Sequence, residues 1–419
     1  MNILWITNNL FPDVCASLGV QSPVSGGWMH ASALSILENK ENIKFAVASV
    51  YEGKEFKTVE IKGVTYYLLP ETRNNRAYDR KLEKNWKLIK TKFQPSIVHI
   101  HGTEYPHGLA YLRACGSDNV VVSIQGLVSV YERYYYGNIS KWNILKNVTI
   151  RDLIKRDTIF NQRRDMKKRG YYEKEVLLAA KNIIGRTFWD RAHIWANNPT
   201  ARYHFCNETL RPLFYQHRWI YENCEKNSIF ISQAYSPIKG VHQIIQALPF
   251  ILKHHPETKV YVAGNDFTNK SRWRLGGYGK LIKTLIKNLR VENHITFTGP
   301  LSEKDMCQRL MKAHVFVSPS SIENSSNSIS EAQLLGVPCV ASYVGGIEDM
   351  VKNNETGLLY RFEEIEMLAK AVCTIFTDHK LTQKISDNAK IIAGVRHNKE
   401  LNRNRILEIY SNICKNISH

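Results

Sequence analysis

The sequence predicts an α/β protein made of two doubly wound domains that face a central cleft. At 419 residues the chain exceeds what one compact core usually holds, which suggests two domains of about 200 residues each. Short apolar runs rich in β-branched residues alternate with helical patterns in both halves, as expected for parallel sheets covered on both faces. Each half also opens with a strand, a loop and a helix. Both domains are therefore predicted to be Rossmann-like.

The first half opens at residues 3–8, an apolar run followed by a polar loop. Gly26 and Gly27 end this loop, and a helical pattern starts near Trp28. Because glycine has no side chain, the backbone can approach a ligand closely here. We therefore predict a ligand contact at the glycine pair, with a flexible turn as the alternative.

The later strands of the first half are predicted in chain order. They are 44–50, 59–69 (a hairpin about Gly63), 96–102, 120–126, 182–187 and 201–205. Functional side chains of such folds lie just past the carboxyl ends of the strands. The candidates there are His99, His101, Glu104, His107 and Gln125. For each histidine, a structural residue held by hydrogen bonds is the alternative.

The second half is predicted to start after a polar linker at 222–228. Its strands are predicted within 229–240, 259–266, 294–300, 314–320 and 356–360, and helices fill 362–415. The predicted domains are therefore 1–222 and 223–395, with a C-terminal helix at 396–419 that crosses back to the first domain.

Residues 318–346 have the strongest functional pattern. Glu323 and Glu331 flank a loop of small polar residues, after which a short helix begins. A loop that enters a helix N-terminus can bind an anion, because free N–H groups and the helix dipole face the ligand. Neighbouring carboxylates can bind sugar or ribose hydroxyls. The alternative is a capping box from Ser328 to Glu331, which needs no ligand.

The charge balance favours an anionic partner. The chain has 57 Lys and Arg against 38 Asp and Glu, a net charge of +19. Residues 127–181 are basic and rich in tyrosine, and 141–191 contain 14 Lys and Arg against 6 Asp and Glu. Aromatic and cationic side chains together suit a membrane headgroup layer, a lipid phosphate or nucleic acid. The alternative is a solvated helical face.

The termini and cysteines indicate the compartment. The N-terminus has no basic segment ahead of its apolar run, so it is predicted to be a strand and not a signal peptide. No run of about 18 apolar residues occurs. The eight scattered cysteines suit reduced thiols. We expect a cytoplasmic protein, peripheral at the inner face of the membrane.

The ordered motifs of the second half resemble the donor domain of family 4 glycosyltransferases, which have the GT-B fold. The series is a strand leading to Lys239-Gly240, then VAGND, FTGPLSEKDM, VFVSPSSIE, EAQLLGVPCVAS, VGGIEDMV and NNETGLLY. It spans residues 229–360. The first half is similar to the family only through its opening strand, its glycine pair and SIVHIHG.

The resemblance implies a hexosyltransferase that moves a sugar from a nucleotide-diphosphate sugar to an acceptor hydroxyl with retention of configuration. A UDP-sugar is the expected donor, with a GDP-sugar as the alternative. The acceptor is expected to be a sugar or a lipid-linked molecule in cell-surface polysaccharide or glycolipid synthesis. The second domain would hold the donor, and the first would hold the acceptor.

The resemblance also implies roles for single residues. Glu323 would contact the transferred sugar, Glu331 the ribose, and Lys239 the diphosphate. His101 and Gln125 would complete the catalytic set. The other implied donor contacts are Gly26, Gly27, Gln233, Gly264, Gly299, Leu301, Ser325, Ser326 and Asn327.

The chain departs from the family at three places. Gln233 stands where the family has an arginine six residues before its lysine. Residues 324–326 are Asn-Ser-Ser in place of Gly-Phe-Gly, and Gln125 replaces a histidine. His101 is the candidate to take over part of that histidine's role.

The reaction is predicted to need no metal and no cofactor. No Asp-x-Asp triplet occurs in the sequence, so a metal-bound diphosphate has no obvious ligands. Fixed amides, a lysine and a helix dipole would stabilise the leaving group instead. A glycosidase is disfavoured because both carboxylates lie in one loop. The alternatives are a GT-B nucleotide-sugar epimerase and a nucleic-acid-binding protein, although no nucleic-acid-reading module is recognisable and no such partner is expected.

Overall fold

The computed structural model describes residues 1–22, 26–38, 42–70, 77–271 and 273–417. They form two units. The first comprises Met1–Val130, Asp165–Leu210 and the chain from His397 onward, and the second comprises Tyr131–Arg164 and Arg211–Arg396. The first unit thus ends before the predicted boundary at residue 222, and residues 131–164 belong to the second unit.

Fourteen strands lie within the described residues. They are β1 (Asn2–Thr7), β2 (Lys44–Tyr51), β3 (Lys57–Ile61), β4 (Val64–Pro70), β5 (Ile97–His101), β6 (Val120–Ser123), β7 (Asn182–Gly185), β8 (Arg202–Phe205), β9 (Glu225–Ile231), β10 (Lys259–Val262), β11 (Ile295–Phe297), β12 (Ala313–Ser318), β13 (Cys339–Ser342) and β14 (Leu358–Tyr360).

Helices connect these strands. They are α1 (Pro12–Leu18), α2 (Gly27–Leu37), α3 (Lys81–Phe93), α4 (His107–Cys115), α5 (Val128–Tyr131), α6 (Lys141–Lys146), α7 (Ile150–Lys155), α8 (Ile159–Ala179), α9 (Phe188–Asn197), α10 (Val241–Leu252), α11 (Gly277–Leu289), α12 (Glu303–Lys312), α13 (Asn327–Leu335), α14 (Ile347–Met350), α15 (Ile365–Thr377), α16 (His379–Arg396) and α17 (Lys399–Ile417). Short 3₁₀ turns add Glu132–Tyr134, Pro212–Tyr215, Tyr221–Asn223, Pro237–Lys239 and Glu292–His294.

The first unit is built on an eight-stranded sheet in the order β3-β4-β2-β1-β5-β6-β7-β8. All pairs are parallel except the β3–β4 hairpin, which turns at Gly63 as predicted. Apolar side chains cover both faces, with Trp86 of α3 in one core and Tyr410 of α17 in the other. The Trp5 indole N–H donates to the Tyr410 hydroxyl at 3.0 Å, which fixes α17 to the first unit.

The second unit contains a six-stranded, fully parallel sheet in the order β11-β10-β9-β12-β13-β14. Its central strands are short apolar runs that are buried on both faces, as expected for a parallel sheet. The chain winds outward from β9 in one direction and from β12 in the other. Ligands of doubly wound sheets bind at the carboxyl ends of the strands where this direction reverses. In the second unit that point lies between β9 and β12, and in the first unit it lies between β1 and β5.

Two further findings concern the cysteines and the apolar character of the helices. The eight cysteines are free thiols. In the described part of the chain, no helix has the length and apolar character needed to cross a membrane.

Candidate functional site

The loops that follow β9 and β12 are joined at the switch point of the second unit. The Ser321 N–H donates to the Ile238 carbonyl at 2.9 Å. Gly240 has a positive φ of 70°, and a Cβ there would lie 1.6 Å from the Pro319 carbonyl oxygen. Only glycine allows this approach. The residue that follows Lys239 therefore has to be glycine for the two loops to meet.

Lys239 and Glu323 form an ion pair across these loops. The Lys239 Nζ lies 2.5 Å from Glu323 Oε1, and both side chains are largely buried. The Ser320 hydroxyl donates to the same oxygen at 3.0 Å. Burial lowers the pKa of the Lys239 ammonium, but the charge of Glu323 outweighs it, so the pKa lies above its ordinary value. The site therefore contains a firmly protonated cation beside a carboxylate.

The backbone of Glu323 is fixed by the glycine turn after β13. The Gly346 N–H donates to the Glu323 carbonyl at 3.0 Å. Gly345 has a φ of 54°, and a Cβ there would lie 1.9 Å from the same carbonyl oxygen. The glycine pair that follows β13 in sequence thus positions the first carboxylate of the motif.

The helix after this loop is α13, and its first turn faces the loop. Ser326 is its N-cap, and the Ser326 hydroxyl accepts from the Ile329 N–H at 3.5 Å. The capping box predicted from Ser328 to Glu331 is therefore wrong, because Ser328 already lies inside the helix. The first turn leaves backbone N–H groups without intrahelical acceptors. Of the predicted amides Ser325 to Asn327, the Ser326 N–H already donates to Met350 Sδ at 3.1 Å, so the N–H groups of Ser325 and Asn327 are the candidates to bind an anion.

Glu331 is held by an arginine that no sequence motif predicts. The Arg211 Nε and Nη2 donate to the two carboxylate oxygens of Glu331, each at 2.7 Å. Burial raises the pKa of Glu331, and the paired guanidinium opposes this rise. A carboxylate has about four acceptor positions, so Glu331 can still accept from a ligand hydroxyl. No local pattern around Arg211 indicates this pairing.

The other donor-side candidates of the second unit lie after β9, β10 and β11. Gln233 is exposed in the loop after β9. Gly264 and Gly299 are brought together, since each N–H donates to the carbonyl of the other at 2.9 and 3.2 Å. Leu301 is half-buried and follows this bridge. The structure thus brings together two of the glycines that were predicted to contact the donor.

Residues 131–164 contact the same loops from within the second unit. The Ser321 hydroxyl donates to the Tyr134 carbonyl at 2.9 Å. A Cβ on Gly137 would lie 2.4 Å from the Pro237 carbonyl oxygen, and His242 Nε2 donates to the Gly137 carbonyl at 2.7 Å. This segment therefore supports the loops that contain Lys239 and Glu323.

In the first unit, Gly26 and Gly27 form the start of α2. Gly26 is the N-cap, and a Cβ there would lie 2.9 Å from the Asn9 amide nitrogen. Residues 23–25 of the predicted loop lie outside the described residues. The glycine pair thus lies beside Asn9 in the loop after β1.

His101 and Gln125 both lie near Arg186 at the carboxyl ends of β5 and β6. The Arg186 guanidinium donates to the Gln125 side-chain oxygen at 3.4 Å. Burial lowers the pKa of His101 well below its ordinary value, and the positive charge of Arg186 adds to the effect. Both ring nitrogens of His101 are buried without a hydrogen-bond partner among the described residues. Burial and the neighbouring charge therefore both favour the neutral imidazole of His101.

The neighbouring His99 has a structural role. Its ring nitrogens lie 2.5 Å from the Tyr410 hydroxyl and 2.5 Å from the Ser123 hydroxyl. Burial lowers the pKa of His99 to about 3. His99 therefore fits the alternative of a structural histidine that joins β5, β6 and α17.

Comparison with solved structures decides the fold. The sucrose-phosphate synthase of Thermosynechococcus elongatus (tll1590) superposes with a TM-score of 0.71 over 99% of both chains at 15% identity. The Anabaena protein Alr3699/HepE, solved in complex with UDP and glucose, gives a TM-score of 0.67 over 98% of this chain and 99% of its own at 17% identity. This chain has the GT-B fold.

The second unit of this GT-B protein also matches a sequence family. Residues 216–391 match the model described as glycosyl transferases group 1. A Bacillus subtilis (strain 168) protein named as the glycosyltransferase YtcC is 30% identical over 169 residues, which is 40% of each chain. The match thus spans 40% of that relative's length. These similarities favour the transferase prediction over the epimerase and nucleic-acid alternatives.

Proposed function

We propose that this GT-B protein is a retaining, metal-independent glycosyltransferase that uses a nucleotide-diphosphate sugar. The observation that supports this best is the Lys239–Glu323 pair, 2.5 Å apart at the switch point and beside the N-terminus of α13. A cation and the amides of a helix N-terminus suit the diphosphate, and a neighbouring carboxylate suits sugar hydroxyls. The group 1 family match over residues 216–391 supports the same reaction class.

In the proposed reaction the bond from the anomeric carbon to the diphosphate oxygen breaks, and a bond to the acceptor oxygen forms. The acceptor proton leaves with the nucleoside diphosphate or passes to solvent. Negative charge grows on the leaving diphosphate, where Lys239 and the amides of Ser325 and Asn327 stabilise it without reorganising, whereas the Ser326 N–H joins them only by leaving Met350 Sδ. Glu323 holds the hydroxyls of the sugar, and Glu331 holds those of the ribose.

The donor is proposed to be a UDP-sugar, with a GDP-sugar as the other choice. HepE, a protein of the same fold, was solved with UDP and glucose. The acceptor is proposed to be a sugar or lipid-linked molecule in polysaccharide or glycolipid synthesis. His101 and Gln125 are proposed to act on its side of the reaction. The protein would work in the cytoplasm, at the inner face of the membrane.

A thermal-shift screen of UDP-, GDP-, ADP- and dTDP-sugars tests the proposal first. A ligand that binds only the folded state stabilises it by about 2.7 kcal/mol at 100 times its Kd. We expect one nucleotide class to raise the Tm clearly, and the shift to persist in EDTA. Failure of every donor, or loss of binding in EDTA, would count against the proposal.

The Glu323→Gln variant then separates binding from chemistry. We expect it to bind the identified donor but to lose transfer at least a hundredfold, because the sugar is no longer held for reaction. NMR of the product formed by the wild-type protein should show the same anomeric configuration as the donor. Conversion of the donor sugar to its epimer without an acceptor would identify an epimerase instead.

A further inference from the structure

Helices α6 and α7 of the second unit expose a cluster of large apolar side chains. The cluster is defined as Trp142, Leu145, Ile150, Leu153 and Ile154, which are 50% to 75% exposed. Single exposed apolar residues are common on soluble proteins, but five large ones within 13 residues of two successive helices are a candidate interaction site.

The fold does not require this exposure, because other residues attach the two helices. Ile144 of α6 is buried, and the Lys280 ammonium of α11 donates to the Lys146 carbonyl at 3.0 Å. Asp152 of α7 is buried and accepts from the Gly277 N–H at 2.7 Å. The side chains of the cluster are therefore free to meet a partner.

The charges around the cluster are mainly positive. Residues 141–156 contain five cations, Lys141, Lys146, Arg151, Lys155 and Arg156. Their one acidic residue is the buried Asp152, which together with Asp157 pairs with Arg151, so the other four cations supply the positive surface. The ammonium of Lys146 lies 5.3 Å from the ring centre of Trp142. Tryptophan, aliphatic side chains and lysine in one surface are typical of the membrane interface.

Helix α7 also lines a cavity of about 620 Å³ in the second unit. Its wall includes Lys155, Lys270, Arg274 and the exposed indole of Trp273, together with the Arg151 ion pairs to Asp152 and Asp157. In the described part of the chain, no carboxylate lies within ion-pair distance of these three cations. The same helix thus presents apolar side chains to solvent and the unpaired Lys155 to a cavity whose wall has four cations against two carboxylates.

We propose that α6 and α7 bind an anionic phospholipid bilayer, with the cluster in the interfacial layer and the surrounding cations on lipid phosphates. A second copy of the chain fits poorly, because a two-fold interface would place these cations against themselves. Nucleic acid would satisfy the cations but not Leu153 and Ile154. The predicted membrane-binding segment at residues 127–181 is thereby narrowed to residues 141–156. Bilayer binding itself does not depend on the proposed function, but the idea that it brings the protein to a lipid-linked acceptor rests on that function.

Co-sedimentation with lipid vesicles tests this surface without donor or acceptor. Wild-type protein should bind vesicles of phosphatidylglycerol and phosphatidylcholine, and should not bind phosphatidylcholine alone. The Leu153→Ser/Ile154→Ser variant should bind at least tenfold more weakly. Its matched control is Ile391→Ser/Val395→Ser on α16, where both side chains are equally exposed and binding should be unchanged.

A second pair of variants tests the charges. Lys141→Gln/Lys146→Gln/Lys155→Gln should weaken binding at least tenfold. The control Lys370→Gln/Lys380→Gln/Lys384→Gln, which removes the same charge from exposed positions on α15 and α16, should have a smaller effect. All these side chains are exposed, so the Tm of each variant should stay at the wild-type value.

Three results would overturn the proposal. One is equal binding to both vesicle types, or none. Another is unchanged binding by the Leu153→Ser/Ile154→Ser variant. The third is a wild-type dimer in size-exclusion chromatography that this variant converts to a monomer, which would identify a second copy as the partner. A donor-induced Tm shift in the same preparation would show that the transferase proposal stands independently.

Discussion

The Arg211 guanidinium donates a hydrogen bond to each carboxylate oxygen of Glu331, at 2.7 Å each, although the two residues are 120 positions apart in the chain. Both side chains are more than 85% buried. A buried carboxylate and guanidinium compensate each other's charge, and removing either one leaves the other as an unpaired buried charge, which is strongly destabilising. The second carboxylate of the motif is therefore part of the folded structure before any ligand binds.

We expect Arg211→Ala to lower the free energy of unfolding of the second unit by about 3 kcal/mol or more, because Glu331 is left buried and unpaired. Glu331→Ala should have a similar effect, because it leaves the Arg211 guanidinium buried without its carboxylate. The double variant Arg211→Met/Glu331→Leu should recover most of the loss, because apolar side chains of similar size replace the pair. Urea denaturation measures all three.

The double variant also isolates the role of Glu331 in binding. If Glu331 binds the ribose, nucleotide affinity should stay low in the double variant although stability has returned. Isothermal titration with the nucleotide from the donor screen gives the affinity. Recovery of affinity together with stability would show that Glu331 is only structural.

Lys239→Met should weaken binding of a nucleoside diphosphate at least tenfold and leave binding of the nucleoside nearly unchanged. The reason is that Lys239 is proposed to meet the diphosphate, and its charge-assisted bonds disappear with the ammonium. Lys259→Met is the control, because Lys259 begins β10 and lies at the opposite end of that strand from the site. An equal loss for diphosphate and nucleoside would place the lysine elsewhere in the site.

Much of the second unit followed from the sequence because its determinants are local. Apolar runs predicted the parallel strands, and the motif order placed Lys239 and Glu323 after two of them. These strands proved to be the neighbours at the switch point. The N-cap was misplaced by two residues, from Ser326 to Ser328, because both are serines and local pattern cannot choose between them.

Tertiary pairings could not be found this way. Arg211 has no motif around it, and its partner is fixed only when the chain folds. The same holds for residues 131–164, which join the second unit through contacts such as Asp152 to Gly277 and Gly137 to His242. Their composition indicated an anionic partner but not which sheet they would pack against.

The two glycines beside the site, Gly240 and Gly345, should not tolerate a larger side chain. Gly345→Ala and Gly240→Ala would place a methyl group against the carbonyl oxygens of Glu323 and Pro319, at positions with positive φ. Each should lower the free energy of unfolding by well over the roughly 1 kcal/mol that strain alone costs. Gly394→Ala is the control, since a Cβ there meets open space within α16 and should be neutral or stabilising. Thermal denaturation would compare the three, and a Tm for Gly345→Ala equal to that of Gly394→Ala would contradict the packing described.

Glu173 of α8 should make stability fall as pH rises. Its carboxylate is fully buried and accepts from Thr103, from the Val128 N–H and from the N–H and hydroxyl of Ser129. Burial nevertheless raises its pKa from 4.5 to about 7. Between these values the folded state holds a proton that the unfolded state has lost, so this group's contribution declines up to about pH 7 and is constant above it.

The Glu173→Gln variant removes this titration, although it also disturbs the hydrogen bonds. Urea denaturation from pH 5 to pH 8 should therefore show a flatter dependence of the unfolding free energy in the variant than in the wild type. Glu175→Gln, two residues further along α8 and paired with Arg113, is the control and should keep the wild-type slope. Buried histidines such as His99 titrate in the opposite direction but are common to all three proteins, so the difference between slopes reports Glu173 alone. Identical slopes in wild type and Glu173→Gln would mean that Glu173 keeps an ordinary pKa in the folded protein.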